Sequence, residues 1–272
     1  MNLVVSFFVT LSLSLSAFAV PLITILPLGD SITYGCGSNA APPLWYACCT
    51  GLDGGYRTPL WAALNGSTIN ASIAMVGTET NGPNFFPPEA KYHEGHPGWT
   101  ISQIGTLTSK WQALNPDIVL LMAGTNDIGQ KHDNATVVSD MQALLSSLTT
   151  TLPKTKLFVT SVLNFYSSDN PFLPPSVIAF NSALPSLCEA VGATFVDINK
   201  ITGLCAPPND PNVDSFCAVC NGPCGGYNPA VCPPNGYAWC HPSGAGYDLV
   251  GGAWASALLP VLGNIAKEKA LA

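Results

Sequence analysis

Four short stretches hold residue types that could together carry out acyl transfer. Ser31 sits in "GDSITYG", Gly98 in "EGHPGWT", Asn126 in "AGTNDIG" and His241 in "YAWCHPSG". A serine hydroxyl is a weak nucleophile until a neighbouring imidazole takes its proton during attack. Backbone N–H groups at Ser31 and Gly98, with the side-chain amide of Asn126, would then donate to the developing oxyanion. Each such donor is typically worth about 2.7–4 kcal/mol. Asp30 and Asp127 flank these residues, and the reading for both is hydrogen bonding within their loops.

Such chemistry needs a scaffold that delivers distant loops to one place. Five apolar, β-branched runs supply it: 22–28 ("LITILPL"), 72–76 ("SIAMV"), 117–123 ("DIVLLMA"), 156–162 ("KLFVTSV") and 193–198 ("ATFVDI"). Their character predicts buried strands. Helical periods alternate with them. Ile101, Ile104, Leu107 and Trp111 recur behind Thr100, a plausible N-cap, and Val138, Met141, Leu145 and Leu148 recur behind Asp133 and Asn134. Residues 175–191 predict a helix broken or kinked at Pro185, and the stretch from Gly244 carries Tyr247, Val250, Trp254 and Leu258 on one face before Pro260 disturbs it. Strand then helix, five times over, predicts an α/β fold with a mainly parallel five-stranded sheet and helices on both faces. Ligands on such sheets bind beyond the carboxyl ends of the strands, where the polar loops fall. Residues 199–240, rich in Pro, Gly, Asn and Cys, break the rhythm and read as a cross-linked, disulfide-rich insertion in a single domain spanning 20–272.

The bulk composition narrows the partners. Charged side chains make up 9% of the chain and the net charge is −7, which argues against a nucleic-acid partner. Residues 1–19 are apolar, carry no charged side chain and end Ala17-Phe18-Ala19. They read as a signal peptide cleaved after Ala19, with a signal anchor as the alternative. All ten cysteines follow that point, and an even count in an exported chain reads first as disulfides whose pairing sequence does not reveal. N-x-S/T triplets at Asn65, Asn70 and Asn134 agree with export to the extracellular space.

Several lookalikes carry less. "GCGSNA" (35–40) has the spacing of a dinucleotide fingerprint, with Asp53 placed for a ribose, but Pro42-Pro43 stand where a helix should begin. "NDPNVD" (209–214) lacks the glycine and terminal glutamate of a calcium loop. The spacing Cys217-x2-Cys220-x3-Cys224 imitates a zinc knuckle in a chain where disulfides are the expectation. His93 and His96 read as surface or hydrogen-bonded residues before cleft residues. Trp45, Tyr46, Trp99, Tyr237 and Trp239 read as packing residues before sugar-stacking ones.

The ordered blocks "PLGDSIT", "GGYR" (54–57), "VGT" (76–78), "EGHPGWTISQI", "NPDIVLLMAGTNDI" and "HPSGAGY" resemble those of the SGNH (GDSL) hydrolase superfamily. "EGHPGW" beside "GGYR" is most similar to its acetylxylan-esterase branch, carbohydrate esterase family 3. The resemblance covers about residues 23–200 and 237–258. It implies a flavodoxin-like three-layer α/β/α sandwich, no cofactor and no metal, with Ser31 as nucleophile, His241 as general base, and Gly98 and Asn126 completing the oxyanion hole. It also favours Gly98 over Gly77, which reads as a turn residue at a strand end.

One departure stands out. The family pattern ends D-x-x-H, and this chain has Ala238-Trp239-Cys240-His241. Losing the acid of a serine-protease triad costs about 10⁴ in turnover, about 5.4 kcal/mol of barrier. Three substitutes stay open: a backbone carbonyl that accepts the second imidazole N–H in a Ser-His dyad, an acid from the insertion such as Asp210 or Asp214, or none, in a protein that binds without turnover. The expectation is therefore a secreted, monomeric serine esterase that removes small acyl groups, acetyl foremost, from acylated plant polysaccharide such as xylan, with no stable membrane association. The rivals are a lipid esterase or lysophospholipase, and a non-catalytic carbohydrate-binding protein.

Overall fold

The first apolar run is the strand to which the others refer. A computed structural model describes residues 20–37, 49, 51–130, 132–163, 173–202, 217–218, 241–242 and 244–271, and in it Leu22–Gly29 forms β1. The further strands of its sheet are β2 (Ser72–Met75), β3 (Glu79–Thr80), β4 (Tyr92–Gly95), β5 (Ile118–Met122), β6 (Lys156–Thr160) and β7 (Thr194–Val196). The parallel order β2–β1–β5–β6–β7 accounts for the five strands that the apolar runs predict.

Two short strands are additional. One edge of β1 is shared: its first half, Leu22–Ile25, pairs with β2, and its last residues, Leu28 and Gly29, pair in parallel with Glu94 and Gly95 of β4. β3 runs antiparallel to β4 through Glu79↔His93 and Thr80↔Tyr92. No apolar alternation announces "YHEG". It becomes a strand because the carboxyl half of β1 still offers backbone groups after β2 has ended, and buried backbone groups must be paired.

Strand residues alternate between two cores, which is why the central strand β5 is apolar and buried at every position. Ile23, Ile25, Ile118, Leu120, Met122 and Phe158 face one cluster; Leu26, Leu28, Val119, Leu121 and Val159 face the other. The first is covered by α2 (Arg57–Asn65) and α9 (Gly244–Ala270), joined by α8 (Ile198–Thr202). The second is covered by α3 (Ile101–Gly105), α4 (Thr108–Leu114), α6 (Asn134–Thr151) and α7 (Leu173–Val191). Trp254 of α9 is fully buried, its ring 6.2 Å from that of Tyr56. Truncating a core aromatic of this kind costs about 3–5 kcal/mol.

Local details correct the sequence reading in three places. The period behind Thr100 gives two helices, because the chain turns at Thr106–Leu107 between α3 and α4; Ile101, Ile104, Leu107 and Trp111 are nevertheless all buried, and Thr100 caps α3 in a reciprocal box with Gln103. Neither Pro185 nor Pro260 ends its helix. Each removes an intrahelical bond, but Leu184 and Cys188 on one side, and Leu258, Leu262 and Ile265 on the other, are buried and carry the apolar stripe through. On α6 the buried face is Val137, Met141, Leu144, Leu145 and Leu148, one position away from the expected Val138.

Of the stretch read above as an insertion, α8 and β8 (Cys217–Ala218) are described; residues 203–216 and 219–240, and residues 1–19, read above as a signal peptide, lie outside the described residues. One disulfide, Cys36–Cys49, falls outside the insertion. Cys188 is a free thiol buried in the second core, so the expectation that every cysteine is paired fails there.

Candidate active site

Ser31 is delivered by the abrupt end of β1. Asp30 caps the one-turn helix α1 (Ser31–Tyr34), its Oδ1 accepting the Ile32 N–H at 2.9 Å. Gly35 then ends the helix at φ 97°, a left-handed conformation that glycine tolerates best. A side chain at Gly35 would also stand 2.7 Å from the backbone nitrogen of Gly55. The next residue, Cys36, is in the disulfide, and its carbonyl accepts the Tyr247 hydroxyl at 2.7 Å. Ser31 is buried apart from a 7% exposed remnant.

His241 reaches Ser31 from 210 residues away: Nε2 lies 2.8 Å from Oγ. The imidazole is half-buried on β9 (His241–Pro242), which pairs antiparallel with β8 through Ala218↔His241 and Cys217↔Pro242. Burial pushes its pKa down to about 4. The ring is therefore neutral at ordinary pH and able to accept a proton. Ala238, Asp210 and Asp214 lie outside the described residues, so the acceptor of the second ring nitrogen is not among the contacts seen.

Gly98 and Asn126 are tied to each other's loops. The chain leaving β4 is fixed to the end of β1 by the His96 N–H donating to the Gly29 carbonyl at 3.0 Å. Gly98 follows at φ 81°, with open space where a side chain would be, so its backbone conformation alone asks for glycine. Asn126 is the second residue of α5 (Thr125–Gly129), which two residues separate from the end of β5, and its Nδ2 donates to the Trp99 carbonyl at 2.7 Å. Gln130 Nε2 adds a bond to the Gly98 carbonyl at 3.3 Å. An amide carries two N–H groups, so Asn126 keeps one for an incoming oxygen. Gly77 is different: a side chain there would meet the His93 carbonyl oxygen at 2.2 Å, marking it as a close-packing residue.

The flanking acids bond within their loops. Asp127 accepts the Ile101 N–H with both oxygens, at 3.2 and 3.1 Å, and burial raises its pKa. Asp30 Oδ2 and the Thr125 hydroxyl are buried without a well-formed hydrogen bond among the described residues; burial raises the Asp30 carboxyl to about 7, with the Ile32 N–H and Thr125 opposing it. His93 and His96 are buried rather than exposed. His93 Nδ1 accepts the Gly95 N–H at 2.9 Å; His96 Nε2 lies 2.9 Å from Glu94 Oε2, and the His96 ring stacks on Trp99 at 4.3 Å. Among the aromatic candidates only Trp99 is described. No trio of His, Cys, Asp or Glu able to hold a metal occurs among the described residues.

Sequence reasoning passed over Glu94, which orients His96, and Arg57, which is fully buried. A signal existed for the second: an arginine among only nine basic residues, placed directly after two glycines and a tyrosine. A groove of about 420 Å³ opens at the opposite end of the sheet, near the starts of β6 and β7, and none of the four candidate residues lines it.

Residues 28–249 match the profile of the GDSL-like lipase/acylhydrolase family. The chain belongs to that family. Its named chemistry, acyl ester hydrolysis, is what a hydroxyl-imidazole pair can perform. Two solved structures share the fold. A family 3 carbohydrate esterase from Clostridium thermocellum superposes with a TM-score of 0.63 at 25% identity, over 90% of this chain and 99% of its own. One from Talaromyces cellulolyticus gives 0.62 at 19% identity, over 89% and 99%. A multidomain esterase from Ruminococcus flavefaciens is 29% identical over 160 residues, 52% of this chain; the aligned part is 19% of that relative's length.

Proposed function

We propose that the chain is an exported serine esterase that removes small acyl groups, acetyl foremost, from a plant polysaccharide such as xylan. The observation that carries the reading is the 2.8 Å contact between Ser31 Oγ and His241 Nε2. His241 takes the hydroxyl proton as Oγ attacks the ester carbonyl. The oxyanion formed accepts hydrogen bonds from the Ser31 and Gly98 backbone N–H groups and from Asn126. Collapse breaks the bond to the sugar oxygen, which leaves with the proton from His241. Water then attacks the acyl-serine, giving its proton to the same imidazole. A carboxylic acid departs and the proton returns to Oγ.

The family 3 carbohydrate esterases that share the fold support the polysaccharide substrate, and the Cys36–Cys49 disulfide supports an oxidising compartment. Asn65, Asn70 and Asn134 are all exposed, as glycan acceptors must be. The test is labelling with a serine-directed fluorophosphonate, followed by acetate release from acetylated xylan and a chain-length series of nitrophenyl esters. Wild type is labelled, Ser31→Ala is not, and acetyl outpaces octanoyl. Folded wild type that resists the label overturns the catalytic reading in favour of a binding protein; a preference for octanoyl overturns the substrate in favour of a lipid.

A further inference from the structure

Arg57 opens α2, outside the hydroxyl-imidazole pair, and its guanidinium is fully buried. Burial lowers its pKa to about 10, which still leaves it charged at neutral pH. A buried cation is costly unless paired and hydrogen-bonded, and every bond seen for this one goes to a neutral oxygen. Nε donates to the Thr33 carbonyl at 3.1 Å and Nη2 to the Tyr34 carbonyl at 3.4 Å. Nη1 donates to the carbonyls of Asn81 and Lys91, both at 3.3 Å, and Nη2 also to Asn81 Oδ1. The neighbouring His93 is kept neutral, chiefly by burial and then by Arg57 itself.

The identity of these acceptors gives the arrangement a purpose. Thr33 and Tyr34 are the last residues of α1, the turn that begins with Ser31. Asn81 follows β3 and Lys91 precedes β4, and β4 leads directly into the loop that carries Gly98. A single planar group therefore bolts the nucleophile turn to the hairpin that feeds the oxyanion loop. Between those two pieces the strand pairing is thin, since β1 and β4 share only two residue pairs. We infer that Arg57 is a positioning residue that sets the distance between the Ser31 hydroxyl and the Gly98 N–H, and that its fixed fork, rather than its charge alone, is what the site uses. The inference rests on the serine-esterase reading above.

The test compares Arg57→Lys, Arg57→Met and Asn81→Ala with wild type, each normalised to the sites that a fluorophosphonate titrates. A misplacement of about 1 Å between reacting groups can cost about a hundredfold in rate. Arg57→Lys, which keeps the charge but loses the fork, is expected to lower kcat per titrated site by about tenfold with KM within about twofold, and Arg57→Met by about a hundredfold. Asn81→Ala, which removes one acceptor on the hairpin side, lowers kcat by about threefold at unchanged KM. A folded Arg57→Lys enzyme with wild-type kcat per titrated site overturns the inference. Should both Arg57 variants fail to fold, Asn81→Ala decides alone, and wild-type kcat there overturns it. Unlabelled wild type instead removes the esterase reading, so the two failures are distinguishable.

Discussion

The two halves of the candidate dyad are held very differently. Ser31 sits where a central strand ends, between a capping aspartate, a left-handed glycine, a disulfide and a buried guanidinium. His241 sits on a two-residue ladder whose partner strand belongs to the cysteine-rich insertion, immediately before α9. The proposed nucleophile is thus positioned by the sheet, at the end of its central strand. The proposed base is positioned by a two-residue ladder that also packs against α1 and α9.

That contrast is broken most directly by removing each half. Ser31→Ala and His241→Ala should each reduce kcat by at least about 10⁴ in a soluble-ester assay, and the double variant should be little worse, because the two groups act as one unit. Additive losses would separate them and sink the dyad. A smaller effect follows from charge. With burial holding the imidazole near about 4, the neutral, active form persists above that value, so kcat/KM should fall only as pH drops through about 4. Ala238→Asp supplies the carboxylate of the family pattern, raises that acid limb by about one to three units and lifts kcat by about tenfold. An unchanged profile means that the second nitrogen already has its acceptor.

The other half is tested through stability. Cys36 and Cys49 close a 13-residue separation, and replacing both with serine should lower the melting temperature by roughly 5–10 °C, the equivalent of about 2–4 kcal/mol, while turnover per titrated site changes little. Asp30 gives a stability effect that depends on pH. Its folded pKa of about 7 lies above the ordinary 3.8, so the folded state holds the proton more tightly and stability declines as pH rises from about 4 through 7. Asp30→Asn keeps the cap and removes that decline. A melting-temperature series whose difference from wild type does not grow between pH 4 and 8 would show that Asp30 ionises normally.

What the sequence disclosed follows from how local each signal is. Each parallel strand carries a short run of mostly apolar, largely β-branched residues, so β1, β2, β5, β6 and β7 were readable without knowing their partners. The loops after β1 and β5 could be expected at one edge because parallel topology leaves them no other place. β4 was illegible, since "YHEG" is polar and becomes a strand only through the vacant half of an edge of β1. The prolines of α7 and α9 misled for the complementary reason: local propensity opposes them, and distant packing prevails. Arg57 belongs to this second group. Its acceptors lie 24 and 34 residues along the chain at Asn81 and Lys91, and no local pattern announces a contact of that span. Val138 was displaced by one position because a helix face 3.6 residues in period tolerates two neighbours as its edge.

The division of one edge of β1 between two strands separates folding from tuning. β2 engages the amino half of β1, and β4 the buried carboxyl end that runs directly into Asp30 and Ser31. A one-residue slip of β4 would turn its side chains to the opposite face while the rest of the sheet kept its alignment. Variation between residues 79 and 92 is therefore a route by which selection, natural or in the laboratory, could shift the hairpin that leads to Gly98 without realigning the parallel strands.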